Sequence, residues 1–191
     1  MSPRFVGLPS LAFYWRWLIC DQLLRLKHHA GTPFYKGSIQ KILENACRDA
    51  EKYVTSNIDG VLMENMNDVP YVQAKHLGPE TTAVMSLVCG EVRRLVPSSI
   101  PCGVQVLAGG NKEAVAIAHA SGLQFIRAEG YVFSHVADEG FTDSSAGELL
   151  PVKKGCSVPV LIGSGVTAAN LCDYLQANAV IVGTHFKHNG Q

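Results

Sequence analysis

From residue 38 onward the chain alternates strand-like apolar runs with helical apolar stripes, and that alternation narrows the fold more than any other feature. Ser38 stands at an N-cap position ahead of Ile39, Ile42, Leu43, Ala46, Cys47, Ala50 and Val54, which recur at helical spacing. IDGVLME, from Ile58 to Glu64, reads as a strand, and a polar loop with Asn65, Asn67, Asp68 and Pro70 follows. A helix from Thr81 to Val96 has Val84, Leu87, Val88, Val92 and Leu95 as its buried stripe, and Pro97 stops it. Cys102 to Leu107 is the next strand; Asn111 is placed to cap a helix that runs to His119 and ends at Gly122. Leu123 to Ala128, Val158 to Ile162 and Ala179 to Val182 are further strands, with helices starting near Ser144 or Ser145 and spanning Ala168 to Leu175.

Strands alternating with helices imply right-handed βαβ crossovers and a mainly parallel sheet, so the expected class is α/β. In such sheets ligands gather at the carboxyl ends of the strands. Those ends supply the candidate site residues.

The sharpest candidate is PVLIGSGVT, ahead of the last expected helix. Gly163 and Gly165 let backbone amides approach an anion without a Cβ in the way, Ser164 and Thr167 add hydroxyls, and a helix N-terminus would add unpaired N–H groups. VIVGT repeats the pattern at the next strand end, with Gly183 and Thr184; Lys187 can add countercharge. Barrels of the (β/α)₈ type bind phosphate after their seventh and eighth strands. The competing reading is two tight βα turns with no ligand.

Other strand ends carry polar groups. Glu64, Asn65 and Asp68 follow one strand, Gln105 lies within the next, and Arg127 and Glu129 flank the end of a third. Glu64, Asp68 or Glu129 can act as a general base or hold a divalent cation, and Arg127 can clamp a phosphate or carboxylate. Glu64 and Arg127 can equally form a structural ion pair. In SHVADEG, His135 and Asp138, with Glu139, converge if the stretch is helical, and Gly130 and Gly140 bracket it as a mobile lid would require. A plain loop histidine and a turn-capping Asp68 are the structural alternatives.

Sixteen basic residues balance sixteen acidic ones, which removes the electrostatic basis for a nucleic-acid partner. None of the six cysteines forms a CxxC pair, so buried free thiols are expected. Residues 1–30 read as an atypical leader: basic, short of acids, and with an apolar run broken by Arg16 that is too short to span a bilayer. A targeting role makes a mitochondrial location an alternative to the cytoplasm.

GTPFYKGSIQKILENACRDAEKY, NIDGVLMENMNDVPY, HLGPETTAVMSLVCGEVRR, GVQVLAGGNKEAVAIAHASGLQFIRAEGYVFSHVADEG and PVLIGSGVTAANL with NAVIVG together resemble the BtpA family. The resemblance covers roughly residues 31 to 187, and ENMNDVPY and RAEGYVFSHVADEG are its most specific motifs. It implies a TIM-type barrel related to phosphate-binding barrels. Cyanobacterial members are associated with photosystem I biogenesis, and others are described only as nucleoside-type or uncharacterised enzymes. Glu64, Asn65, Asp68, Gln105, Arg127, Glu129, His135, Asp138 and Glu139 match the family's strand-end motifs. Gly163, Ser164, Gly165 and Gly183 match its phosphate-type turns.

Three departures accompany that match. A first strand resembling IGMIH is missing or poorly replaced by LLRLKHHAGTP. After SSAGELL the chain passes through PVKKGCS directly to the strand before GSGVT, skipping the fifth and sixth strands, about sixty residues at barrel-unit length. The closing helix is absent. The 191 residues, against about 250 for a full barrel, therefore predict an incomplete (β/α)₈ domain over 31–191 with about five parallel strands, as in a truncated or splice-shortened form. Unpaired edges where strands are missing are the structural expectation, met by an open doubly wound sheet, by an oligomer or by chaperone protection. Two functions compete: an enzyme acting on a small phosphorylated metabolite or nucleotide, for instance by metal-assisted hydrolysis, and a non-catalytic assembly or stability factor for a protein complex.

Overall fold

Two-residue pairing at one sheet edge fills the place of the missing first strand. In a computed structural model, which describes residues 24–25, 37–56, 58–68, 70–137, 140–156, 158–163, 166–167, 169–175 and 177–181, β1 is Leu24–Arg25. Apart from β1, the 1–30 leader lies outside the described residues, as do Asp138, Glu139, Ser164, Gly165, Gly183, Thr184 and Lys187. Helix α1, Ile39–Val54, begins where Ser38 accepts a hydrogen bond from the Lys41 amide at 3.2 Å. It is followed by β2, Val61–Glu64, a 3₁₀ turn at Ala74–His76, and α2, Pro79–Leu95. Leu87, expected within the buried stripe of α2, is 45% exposed; Met85 and Cys89 are buried in that helix.

β3, Cys102–Gln105, leads to α3, Asn111–Ser121, which Gly122 closes in the left-handed conformation at φ 67°. Gly110, not Asn111, is the N-cap of α3; the Asn111 side chain is engaged elsewhere. After β4, Phe125–Ala128, the chain makes an antiparallel hairpin of β5, His135–Ala137, and β6, Gly140–Thr142. His135 therefore lies in an extended strand and not in the helical turn expected for SHVADEG, whose Asp138 and Glu139 fall outside the described residues. Helix α4, Ala146–Cys156, then leads to β7, Val160–Ile162. The helix expected over 168–175 is, among the described residues, a four-residue 3₁₀ turn, Leu171–Tyr174, ahead of β8, Ala179–Val180. Thr167 and Asn170 bond each other's amides through their side chains, an arrangement that closes a turn.

The sheet order is β1-β2-β3-β4-β7-β8, parallel throughout. β4 pairs directly with β7, Ile126 with Val160, Arg127 with Leu161 and Ala128 with Ile162. The unpaired edges expected at the missing fifth and sixth strands therefore do not exist. The physical reason is polarity: omitting whole βα units leaves the next strand parallel and in phase, so its backbone groups meet those of β4. The architecture is that of an incomplete (β/α)₈ barrel.

Both sheet faces are buried, but by different partners. Val61, Met63, Cys102, Val104, Ile126, Ala128, Val160 and Ile162 pack with helix residues such as Ala46, Val88, Val115 and Leu149. Leu62, Phe125 and Leu161 form a separate apolar cluster with Ala179 against it. Side chains alternate along a strand, so this second cluster marks the face turned away from the helices.

Candidate functional site

The next residues on that second face, moving toward the strand ends, are polar. Glu64 lies two residues beyond Leu62, Gln105 two beyond Gly103, Arg127 two beyond Phe125 and Gly163 two beyond Leu161. Glu64 pairs in register with Gln105, and the β3–β4 register carried one residue further brings Gln105 alongside Arg127. Glu64 and Gln105 are almost fully buried. β3 lies between the strands of Glu64 and Arg127 and puts Gln105 between the two residues.

Arg127 leans toward β7. A Cβ at Gly163 would collide with its Nε and stand 3.2 Å from Cζ and Nη2, so the glycine is what lets the guanidinium lie against the backbone. The buried Nε of Arg127 has no hydrogen-bond partner. The Gly163 amide itself donates to the Ala128 carbonyl at 3.3 Å, extending the β4–β7 pairing.

The remaining strand-end groups are built into the scaffold. Asn65 Oδ1 accepts from the Leu107 amide at 2.7 Å and its Nδ2 donates to the Leu107 carbonyl at 3.2 Å, tying the end of β2 to the end of β3. The Asp68 amide donates to the Asn65 carbonyl in a turn, and its side chain is buried. Glu129 Oε2 accepts from the Gly109 amide at 3.2 Å. Asn111 donates to the Glu129 carbonyl at 2.6 Å and to Ser145 Oγ at 2.7 Å, while its Oδ1 accepts from the Glu129 amide at 3.1 Å. His135 sits half-buried in β5, in register with Thr142. A cleft of about 360 Å³ opens between the Ala74–His76 turn, the start of α3 and the loop after β6, with Lys75, Gly109, Thr142 and Ser145 among its walls. Lys112 and Glu148 pair across it.

Titration adds little chemistry here. Burial pushes the Tyr131 hydroxyl above the ordinary phenol value and the Cys89 thiol far above the ordinary thiol value. Such thiols are inert. Among the described cysteines Cys89 and Cys102 are buried and free as expected, whereas Cys172 is exposed. Among the described residues no group of three or more His, Cys, Asp and Glu side chains converges on one point. Sequence reasoning left Tyr131 out; it follows Gly130 in the EGY motif, but nothing local marks it as a buried hydroxyl.

A family model described as the BtpA family matches residues 22–157. The chain belongs to the BtpA family. The BtpA match ends between α4 and β7. An uncharacterized mitochondrial protein of Caenorhabditis elegans is 30% identical over 228 residues, covering 84% of this chain and 82% of that protein. That aligned span exceeds the 191 residues here, so the nematode BtpA relative holds residues for which this chain has no counterpart. An uncharacterized protein of Pyrococcus horikoshii is 32% identical, covering 64% of this chain and 46% of its own length. The photosystem I biogenesis protein BtpA of Synechocystis sp. is 28% identical, covering 78% of this chain and 48% of its own length. The chain thus spans about half of the archaeal and cyanobacterial relatives it matches. No helix among the described residues is long and apolar enough to cross a membrane.

Proposed function

We propose that the chain is a non-catalytic assembly or stability factor for a protein complex, and that the β5–β6 hairpin is its contact surface. The observation that carries this reading is the pairing of Val136 with Phe141 across the hairpin, which puts two large apolar side chains, 79% and 57% exposed, side by side on one face. Phe133, 49% exposed, stands just before them. Contiguous apolar surface on an excursion that the main sheet does not need is a mark of protein contact. The name of the Synechocystis relative, a photosystem I biogenesis protein, points the same way. So does the use of Asn65, Asn111 and Glu129 to hold loops together. The nematode relative's mitochondrial name and the basic leader favour a mitochondrial location over the cytoplasm.

The tagged full chain should co-purify from its own cells with one subunit in stoichiometric amount. The double substitution Val136→Asp and Phe141→Asp should abolish that recovery while leaving circular dichroism and the melting temperature unchanged, since both side chains already face water. Retention of the subunit by the double variant would remove the hairpin from the contact.

One observation favours a second reading: the Arg127 guanidinium laid against Gly163, with its buried Nε unpartnered. A phosphate between Arg127 and the Gly163, Ser164, Gly165 turn, completed by Gly183 and Thr184, would make the chain a phosphorylated-metabolite enzyme or its remnant. Glu64, Asp68 or Glu129, with His135 and Asp138, would then carry protons or hold a divalent cation. Saturating inorganic phosphate should raise the melting temperature, by the equivalent of about 2.7 kcal/mol at a hundred times Kd. Arg127→Met should remove that shift; an equal shift in wild type and variant would exclude Arg127 from the site.

A further inference from the structure

We propose that Gln105 reads an amide-type edge on a ligand whose anionic end rests at Arg127 and Gly163; this builds on the phosphate reading above and gives it a substrate class. Gln105 is 1% exposed, and neither its Oε1 nor its Nε2 has a hydrogen-bond partner. A side-chain amide carries two donors and an accepting oxygen. Holding all of them bare in a buried position is destabilising, and a leucine or methionine would fill the same volume without that cost. Strand pairing uses only the backbone of Gln105, so the sheet does not account for the amide either.

The position of the amide indicates what it faces. Gln105 stands between Glu64 and Arg127 on the face turned away from the helices, with Leu62 and Phe125 as an apolar layer beneath. It therefore stands on the same face as the arginine, at the carboxyl ends of the strands, where parallel sheets bind ligands.

Strand spacing sets the length of the ligand. The guanidinium lies over Gly163, directly after β7, so the anionic end belongs on that strand. Gln105 is on β3, two strand spacings or about 10 Å away. A carbamoyl group attached directly to phosphate is too short for that span. A phosphate separated by a sugar-sized spacer from a ring with adjacent C=O and N–H groups reaches both. The ligand class is a phosphorylated sugar bearing an amide-containing heterocycle, and Gln105 is its specificity residue, donating to the ring carbonyl and accepting from the ring N–H.

The test is equilibrium binding and thermal shift on the purified full chain with inorganic phosphate, ribose 5-phosphate and uridine 5′-monophosphate. Wild type should bind the nucleotide at least about ten-fold more tightly than ribose 5-phosphate, the scale of one buried hydrogen-bonded pair. Gln105→Leu should bring the two to similar affinity, leave phosphate binding unchanged, and melt at or above the wild-type temperature. Equal wild-type affinity for the two ribose compounds, with phosphate bound, would overturn the role of Gln105 and leave the phosphate reading intact. A Gln105→Leu chain that melts well below wild type would overturn it as well, since the amide would then be holding the protein together. No response to any of the three compounds overturns both readings.

Discussion

Gly103→Val is expected to destabilise the fold by about 3 kcal/mol, and shortening the neighbouring ring with Phe125→Leu in the same chain should recover part of that loss. Gly103 and Phe125 are register partners on β3 and β4. An ideal Cβ at Gly103 would overlap three carbons of the Phe125 ring, so the ring lies across the space that a side chain on β3 would fill. The ring is buried with Leu62 and Leu161, and it has no open solvent to retreat into. A branched side chain must therefore displace packed neighbours, and overpacking of that kind costs about 1–3 kcal/mol and occasionally more. Against a stability of about 5–15 kcal/mol for a typical domain, this is a large fraction. Urea unfolding of the two single variants and the double variant gives the coupling. Strictly additive losses would mean that the ring does not occupy the Gly103 side of the sheet.

That contact also marks the limit of what sequence pattern conveys. Apolar spacing located the helices from Ile39 and from Thr81, together with the five strands that end at Glu64, Gln105, Ala128, Ile162 and Val180, because those signals are local. Gly122 and Ser38 were legible for the same reason: cap geometry depends on the residue that adopts it. The meeting of Gly103 with Phe125, and the row from Glu64 through Gln105 to Arg127, depend on register between strands about twenty to forty residues apart in the chain. No single segment carries that information.

The hairpin was missed for a different reason. β5 and β6 are three residues each, and Asp138-Glu139 between them is not one of the Gly- or Asn-containing pairs that announce a tight turn. A helical period is a reasonable reading of the stretch from His135, and at His135 pairing between strands overrides it. The β4–β7 junction was half legible. The missing units show in the sequence; the repair arises because a parallel strand of the right phase comes next. Of the candidate site, Arg127 and Gly163 come together, while Asn65, Asn111 and Glu129 turn out to brace loops.

Asn111→Leu is expected to cost about 3 kcal/mol and to loosen the hairpin more than any other part of the fold. Asn111 is buried, and its amide makes three hydrogen bonds, two to the backbone of Glu129 and one to Ser145 Oγ. Ser145 in turn donates through its hydroxyl to the Gly130 carbonyl at 3.1 Å, and its amide reaches the same carbonyl at 2.8 Å. These bonds clamp the two ends of the hairpin excursion onto the first turn of α3. Leucine of similar volume fills the space but leaves a buried N–H and C=O of Glu129 without their partners, at about 1–3 kcal/mol for each group stranded in this way. Ser145→Ala removes a smaller part of the same network and should cost about 1 kcal/mol. Hydrogen exchange should show the loss of protection concentrated between residues 129 and 146 in the Asn111→Leu chain, with α1 and α2 following only the global stability. Because the clamp sets how Val136 and Phe141 are presented, the same substitution should weaken recovery of the partner subunit without touching the contact surface. Uniform loss of protection across the sheet, with partner recovery intact, would show that Asn111 supports the core and leaves the hairpin's placement to other contacts.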